Sequence, residues 1–105
     1  IKRIKKEKAE ILVSVKKALI LDVRSLEEWK EGHLSIAKHI ELVNLERDIE
    51  EINSYKKQTI MLYCQSGNRS EKALNILKNL GYTKVINLGG LEEAQELLGV
   101  EVVKS

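Results

Sequence analysis

Seven consecutive residues, Cys64-Gln65-Ser66-Gly67-Asn68-Arg69-Ser70, put the only cysteine of this 105-residue chain where an apolar run ends and an amphipathic stretch begins. A thiol becomes reactive in such a place, because a helix N-terminus and a nearby guanidinium both favour the thiolate. The backbone N–H groups between Cys64 and Arg69, wrapped into a turn, would form an anion-binding nest. Gly67 supplies the φ > 0 conformation that a tight cradle needs. Arg69 offers a planar fork of donors suited to a sulfonate or sulfate, and Ser70 is placed to cap the helix that follows. The hydroxyls of Ser66 and Ser70 are open to two roles, hydrogen bonds to a bound anion or plain loop and cap duty. A lone cysteine is more often simply buried. Its neighbours here argue instead for a sulfur nucleophile with an oxyanion held beside it.

The elements around this loop must position it. Thr59-Ile60-Met61-Leu62-Tyr63 is too short and too rich in β-formers for a helix and predicts a buried strand. Ala73, Leu74, Ile76, Leu77 and Leu80 then share one helical face, closed by Gly81. Upstream, Ala18 to Val23 predicts a parallel strand buried on both faces and ending in the polar pair Asp22 and Arg24. Ser25-Leu26-Glu27-Glu28 matches a capping box, so a short helix runs from there to before Gly32. Alternation between Ile36 and Leu42 suggests a short strand, and Asn44 is expected to cap a helix with Leu45, Ile49 and Ile52 on one face. Lys84 to Leu88 predicts another strand, Gly89-Gly90 a turn, and Leu91 to Leu98 a helix stopped by Gly99. The segment from Lys2 to Lys17 suggests a short strand near Ile4 and a helix with Ile11, Leu12 and Val15 inward, its lysines interleaved with Glu7 and Glu10 as a solvated face. The tail from Val100 to Ser105 is either a β-edge or frayed. Alternating strands and helices imply one α/β domain over residues 1–105, with a central, mainly parallel sheet covered on both faces. Ligands in such sheets sit beyond the carboxyl ends of the strands, where both Asp22 and Cys64 fall.

Composition narrows the function. With 43% apolar residues, 32% charged residues and a net charge of +2, nothing argues for nucleic-acid or membrane binding. No run is long enough to span a bilayer and no signal-peptide h-region is visible, which points to the cytoplasm, with export as the alternative if a leader preceded Ile1. A single cysteine rules out an internal disulfide and leaves no resolving thiol, so a partner or small thiol must complete any sulfur-transfer step. His33 and His39 are not at ligand spacing from each other or from Cys64, so no metal is expected. Trp29 is expected to anchor its short helix, His33 to satisfy a local hydrogen bond, Tyr63 to pack, and Tyr82 to contact the helix end.

Three separated segments resemble the rhodanese family of sulfurtransferases, in its small single-domain form: Leu21-Asp22-Val23-Arg24-Ser25 through Glu28-Trp29 to Glu31-Gly32-His33-Leu34; the loop from Cys64 to Ser70; and Leu80-Gly81-Tyr82 through Val85 to Leu88-Gly89-Gly90-Leu91. The chain departs from the family at Ser35-Ile36 and Glu41, where many members have Pro-Gly and a second proline. The resemblance implies a rhodanese-like domain whose Cys64 carries sulfane sulfur as a transient persulfide, with no other cofactor. Gln65, Ser66, Gly67, Asn68, Arg69 and Ser70 would bind the substrate, with Arg24 as a further anchor for its sulfonate, while Asp22, Arg24, Glu28 and His33 match positions that support the sheet edge and the neighbouring loops. The donor would be thiosulfate or another sulfane sulfur compound, the acceptor a thiol or cyanide, and the protein a monomer, with a sulfur-donor or acceptor protein as a further partner.

Two other functions compete. A cysteine phosphatase or arsenate reductase cradles an oxyanion in a similar loop, but with five residues between Cys and Arg, where this chain has the four from Gln65 to Asn68 and no identifiable general acid. A persulfide relay module would keep Cys64 but turn over thiosulfate only weakly, its specificity lying on the surrounding surface.

Overall fold

The computed structural model describes residues 5–9 and 18–105. Residues 6–9 are helical. The strand expected near Ile4 and the inward positions Ile11, Leu12 and Val15 lie outside the described residues. In chain order the elements are β1 (Ala18–Asp22), α1 (Leu26–Glu31), β2 (His33–Leu34), β3 (Lys38–His39), α2 (Leu45–Ile52), β4 (Thr59–Cys64), α3 (Asn68–Asn79), β5 (Lys84–Gly90), α4 (Leu91–Leu98) and β6 (Val102–Val103). No helix among them is long and apolar enough to cross a membrane.

Four strands pair in parallel in the order β3-β1-β4-β5. The apolar run of β4 is continuous because both of its faces are covered. Ile60, Leu62 and Cys64 pack with Leu45 and Ile49 of α2 and with Ala73 and Leu77 of α3. Met61 and Tyr63 pack on the other side with Leu34 and with Ala94 and Leu98 of α4. The fold is therefore the expected α/β arrangement, a mainly parallel sheet with helices on both faces.

Local chemistry sets the ends of the elements. Ser25 and Glu28 form the predicted capping box of α1: the Glu28 N–H donates to Ser25 Oγ at 3.2 Å and the Ser25 N–H to Glu28 Oε1 at 3.0 Å. At the proline-free Ser35-Ile36 turn, the Ala37 N–H donates to the Leu34 carbonyl at 3.0 Å.

Three expectations need correction. Asn44 does not cap α2 with its side chain: it is the last residue of a short 3-10 turn (Leu42–Asn44), with helical φ and ψ, whereas a capping side chain needs the extended backbone of an N-cap. Ile52 is 39% exposed rather than inward, since the buried face of α2 is already filled by Leu45 and Ile49. Gly89-Gly90 is not a turn between strand and helix. β5 runs on through it by a bulge, with Leu62 opposite Asn87 and Tyr63 opposite Gly89, and Gly89 takes φ 92° at the irregularity. The tail resolves as a β-edge, β6 pairing antiparallel with β2.

Candidate active site

The register brings three strand ends together. Asp22 lies opposite Tyr63, and Cys64 lies opposite Gly90. Past Cys64 the chain turns through Gly67, at φ 101°, into α3. Cys64 is fully buried. Its Sγ accepts the Gly67 N–H at 2.9 Å and lies 3.4 Å from Ser70 Oγ. Burial pushes the thiol up, but the Ser70 hydroxyl and the N–H groups of Ser70, Ser66 and Gly67 more than offset it and hold the thiol below its ordinary value. The backbone N–H groups of the loop thus face the sulfur and favour its thiolate.

Ser70 is not the helix cap. Gly67 occupies that position, and Ser70, in the first turn, directs its hydroxyl back toward the Gly67 carbonyl (3.0 Å), Asn87 Oδ1 (2.7 Å) and the sulfur. The positive φ of the chain reversal selects the glycine. Ser70→Ala should therefore remove the one hydroxyl proton that the sulfur shares with Asn87 Oδ1 and the Gly67 carbonyl, and move the ionisation of Cys64 to higher pH. Since one hydrogen bond to a charged group is worth about 1.5 kcal/mol or more, alkylation of Cys64 below that pH should slow about tenfold. The pH profile of iodoacetamide modification checks this. A superimposable profile would mean that the backbone N–H groups hold the charge alone.

The two arginines are engaged differently from expectation. Arg24 is 2% exposed, and each of its donor nitrogens is occupied: Nε and Nη2 on the Asp22 carboxylate at 2.7–3.1 Å, Nη2 also on the Gly32 carbonyl at 2.6 Å, and Nη1 on Gln65 Oε1 at 3.2 Å. The expected role of Arg24 as a substrate anchor does not fit this geometry. It is a buried brace that ties the end of β1 to the cysteine loop, and removing one partner of such a pair costs about 3–5 kcal/mol. Arg69 is only partly covered, and its Nη1 and Nη2 grip both oxygens of Glu28 at 2.7 and 2.8 Å. This pairing, followed by the capping box, draws Glu28 down to about 2, so the carboxylate stays charged at any ordinary pH. The charge of Arg69 is also felt by Cys64.

Among the remaining expected site residues, Gln65 reaches Arg24 while being exposed, and the side chains of Ser66 and Asn68 are exposed. His33 contacts α1 rather than the cysteine loop. Its Nδ1 pairs with the Trp29 carbonyl at 2.8 Å and its ring stacks on Trp29 at 3.4 Å. Trp29 also stacks on His39, whose Nε2 meets the Arg24 carbonyl at 2.7 Å. Among the described residues no group of three His, Cys, Asp or Glu side chains is placed to hold a metal ion.

Two residues were missed by sequence reasoning. Asn87, buried in β5, accepts from the Gly89 N–H (2.8 Å) and the Ser70 hydroxyl, and donates to the Gly67 carbonyl (3.2 Å) and Glu71 (3.1 Å). A polar residue inside Val85-Ile86-Asn87-Leu88 was the available signal. Gly90 is the other: a Cβ there would sit 2.4 Å from the Gln65 carbonyl oxygen, so the loop passes where only glycine leaves room.

Comparison with known proteins agrees with this geometry. Residues 5–97 match the sequence model of the Rhodanese-like domain. The chain is 41% identical over 69 residues to "Putative sulfur carrier protein YrkF" of Bacillus subtilis, an alignment covering 66% of this chain and 36% of YrkF. It is 36% identical over 73 residues to "Thiosulfate sulfurtransferase PspE" of Escherichia coli, covering 70% of each. A solved structure described as a rhodanese with anions from E. coli superposes with a TM-score of 0.76 at 32% identity, covering 84% of this chain and 99% of that one. The domain match begins ahead of β1 and ends within α4, taking in the whole parallel sheet and the cysteine loop, and on that extent the chain belongs to the rhodanese family.

Proposed function

We propose that this chain is a sulfurtransferase that carries sulfane sulfur as a persulfide on Cys64. The observation that carries the reading is the sulfur at the end of β4, held by the Gly67 N–H at 2.9 Å within a loop that favours its thiolate. With thiosulfate as donor, the thiolate attacks the outer sulfur. An Sγ–S bond forms as the S–S bond of thiosulfate breaks, and the electron pair leaves with sulfite. No general base is needed, since the loop favours the thiolate and sulfite leaves as a stable anion. The persulfide is itself anionic, and the fixed backbone dipoles of the loop stabilise it without reorganising. A thiol or cyanide then takes the outer sulfur and returns Cys64 to the thiolate, which completes a two-step cycle.

A relay function is the second reading. It is favoured by the likeness to a protein named as a putative sulfur carrier. The phosphatase alternative is disfavoured by the four-residue spacing between Cys64 and Arg69 and by a guanidinium already held by Glu28. The test is direct. Protein incubated with thiosulfate should gain the mass of one sulfur on Cys64, lose it on addition of cyanide, and release one equivalent of thiocyanate. Absence of that increment with thiosulfate, and equally with a small-molecule persulfide, would overturn the reading.

A further inference from the structure

Two cations border the cysteine loop, and neither is free to receive a small dianion. Arg24 is buried on Asp22. Arg69 presents both terminal nitrogens to the two oxygens of Glu28. The shallow depression that Arg69 borders, about 270 Å³, is lined by Val23, Leu42 and Val43, by the paired Arg24, by Ser25 and by Glu41, whose carboxylate accepts the Leu26 N–H at 3.1 Å. Val43 is 84% exposed there. An incoming sulfonate must therefore displace a carboxylate that fits the guanidinium in a bidentate way, and must do so next to a second carboxylate. A donor whose sulfane sulfur is attached to a neutral or cationic carbon group does not compete with Glu28 for Arg69, and its tail finds apolar contact at Val23, Leu42 and Val43.

On the footing of the sulfurtransferase reading above, we propose that Glu28 is a specificity-determining residue: by occupying Arg69 it turns the site away from sulfonate dianions and toward persulfide donors whose carrier group is neutral or cationic. The transfer from such a donor balances simply. The Cys64 thiolate attacks the terminal sulfur of R–S–S–H, the new Sγ–S bond forms as the old S–S bond breaks, and R–S⁻ leaves with the electron pair. The carboxylate remains ionised throughout, because the ion pair and the capping box both favour its charged form, so protonation does not release Arg69 in any usual assay.

The experiment loads Cys64 in a single turnover from two probes, thiosulfate and cysteamine persulfide, and follows the added sulfur by mass spectrometry. Glu28→Gln keeps an oxygen to accept the Ser25 N–H, so α1 retains its cap, but it removes the charge that neutralises Arg69. Loading efficiency from thiosulfate should rise about tenfold relative to cysteamine persulfide, the scale of one charge-assisted hydrogen bond. Damage to the loop would slow both donors together and leave their ratio unchanged. An unchanged ratio, or one shifted toward cysteamine persulfide, overturns the proposal. Arg69→Ala provides the second arm. It leaves Glu28 unpaired at the rim, so thiosulfate loading should fall by at least tenfold more than cysteamine persulfide loading, and equal losses would again overturn the proposal. If wild-type Cys64 loads from neither probe, the sulfurtransferase reading itself fails, a result distinct from loading without discrimination.

Discussion

Cys64→Ser is expected to abolish sulfur transfer outright, a loss of at least about 10⁴-fold, while leaving the fold intact. The step needs a nucleophile ionised near neutral pH and able to form a bond to sulfur that a second nucleophile can break again. A serine hydroxyl meets neither requirement, and none of the donors around Cys64 is a base that would activate it. The substitution is nearly isosteric, and the Gly67 N–H and Ser70 hydroxyl that meet the sulfur can meet an oxygen. Thermal unfolding should therefore change little. Thiocyanate formation from thiosulfate and cyanide is the measurement, and turnover by the variant above background would remove Cys64 from the mechanism.

The second large effect is expected from Gly90→Ala, a methyl group on a residue with no ionisable or nucleophilic atom. Gly90 lies opposite Cys64 in the sheet, and its added Cβ would stand 2.4 Å from the Gln65 carbonyl oxygen and 3.1 Å from the carbonyl carbon. Both obstacles are backbone, so no side chain can rotate out of the way. The Gln65 peptide has to move by roughly half an ångström or more, carrying with it the N–H groups that face the sulfur. Displacements of about 1 Å near a reacting centre cost on the order of 10²-fold in rate. We expect kcat/KM for sulfur transfer to fall by about that factor, with the pH profile of Cys64 alkylation moving upward as the donors lose alignment. Activity within about threefold of wild type would show that the loop has slack which the contact distances deny.

What was legible in the sequence was local. The capping box of α1 joins residues three apart, the apolar face of α3 recurs within a few turns, and the loop that faces the sulfur lies within the seven residues from Cys64 to Ser70, so each follows from spacing alone. The pairings that decide how the site works join distant parts of the chain: Arg69 to Glu28 across 41 residues and Ser70 to Asn87 across 17. No pattern of types marks them. Arg24 shows the difficulty most clearly. An arginine at a strand end looks the same in sequence whether it faces a ligand or a buried carboxylate, and only the depth of β1 turned it onto Asp22. Ser70 was misplaced for the opposite reason. Residue preference favoured it as the cap, but the chain reversal at Gly67 needed positive φ, and backbone geometry prevailed.

The stacking of Trp29 on His33 and His39 has an optical consequence. This is the only tryptophan in the chain, so all indole emission originates from one helix turn. Trp29 adjoins Glu28 in α1, and the His39 ring touches the Arg24 carbonyl. Fluorescence therefore reads the packing of the short helix that holds Arg69. Each loading and unloading of Cys64 that disturbs that helix can be followed in real time without an attached dye or a coupled assay.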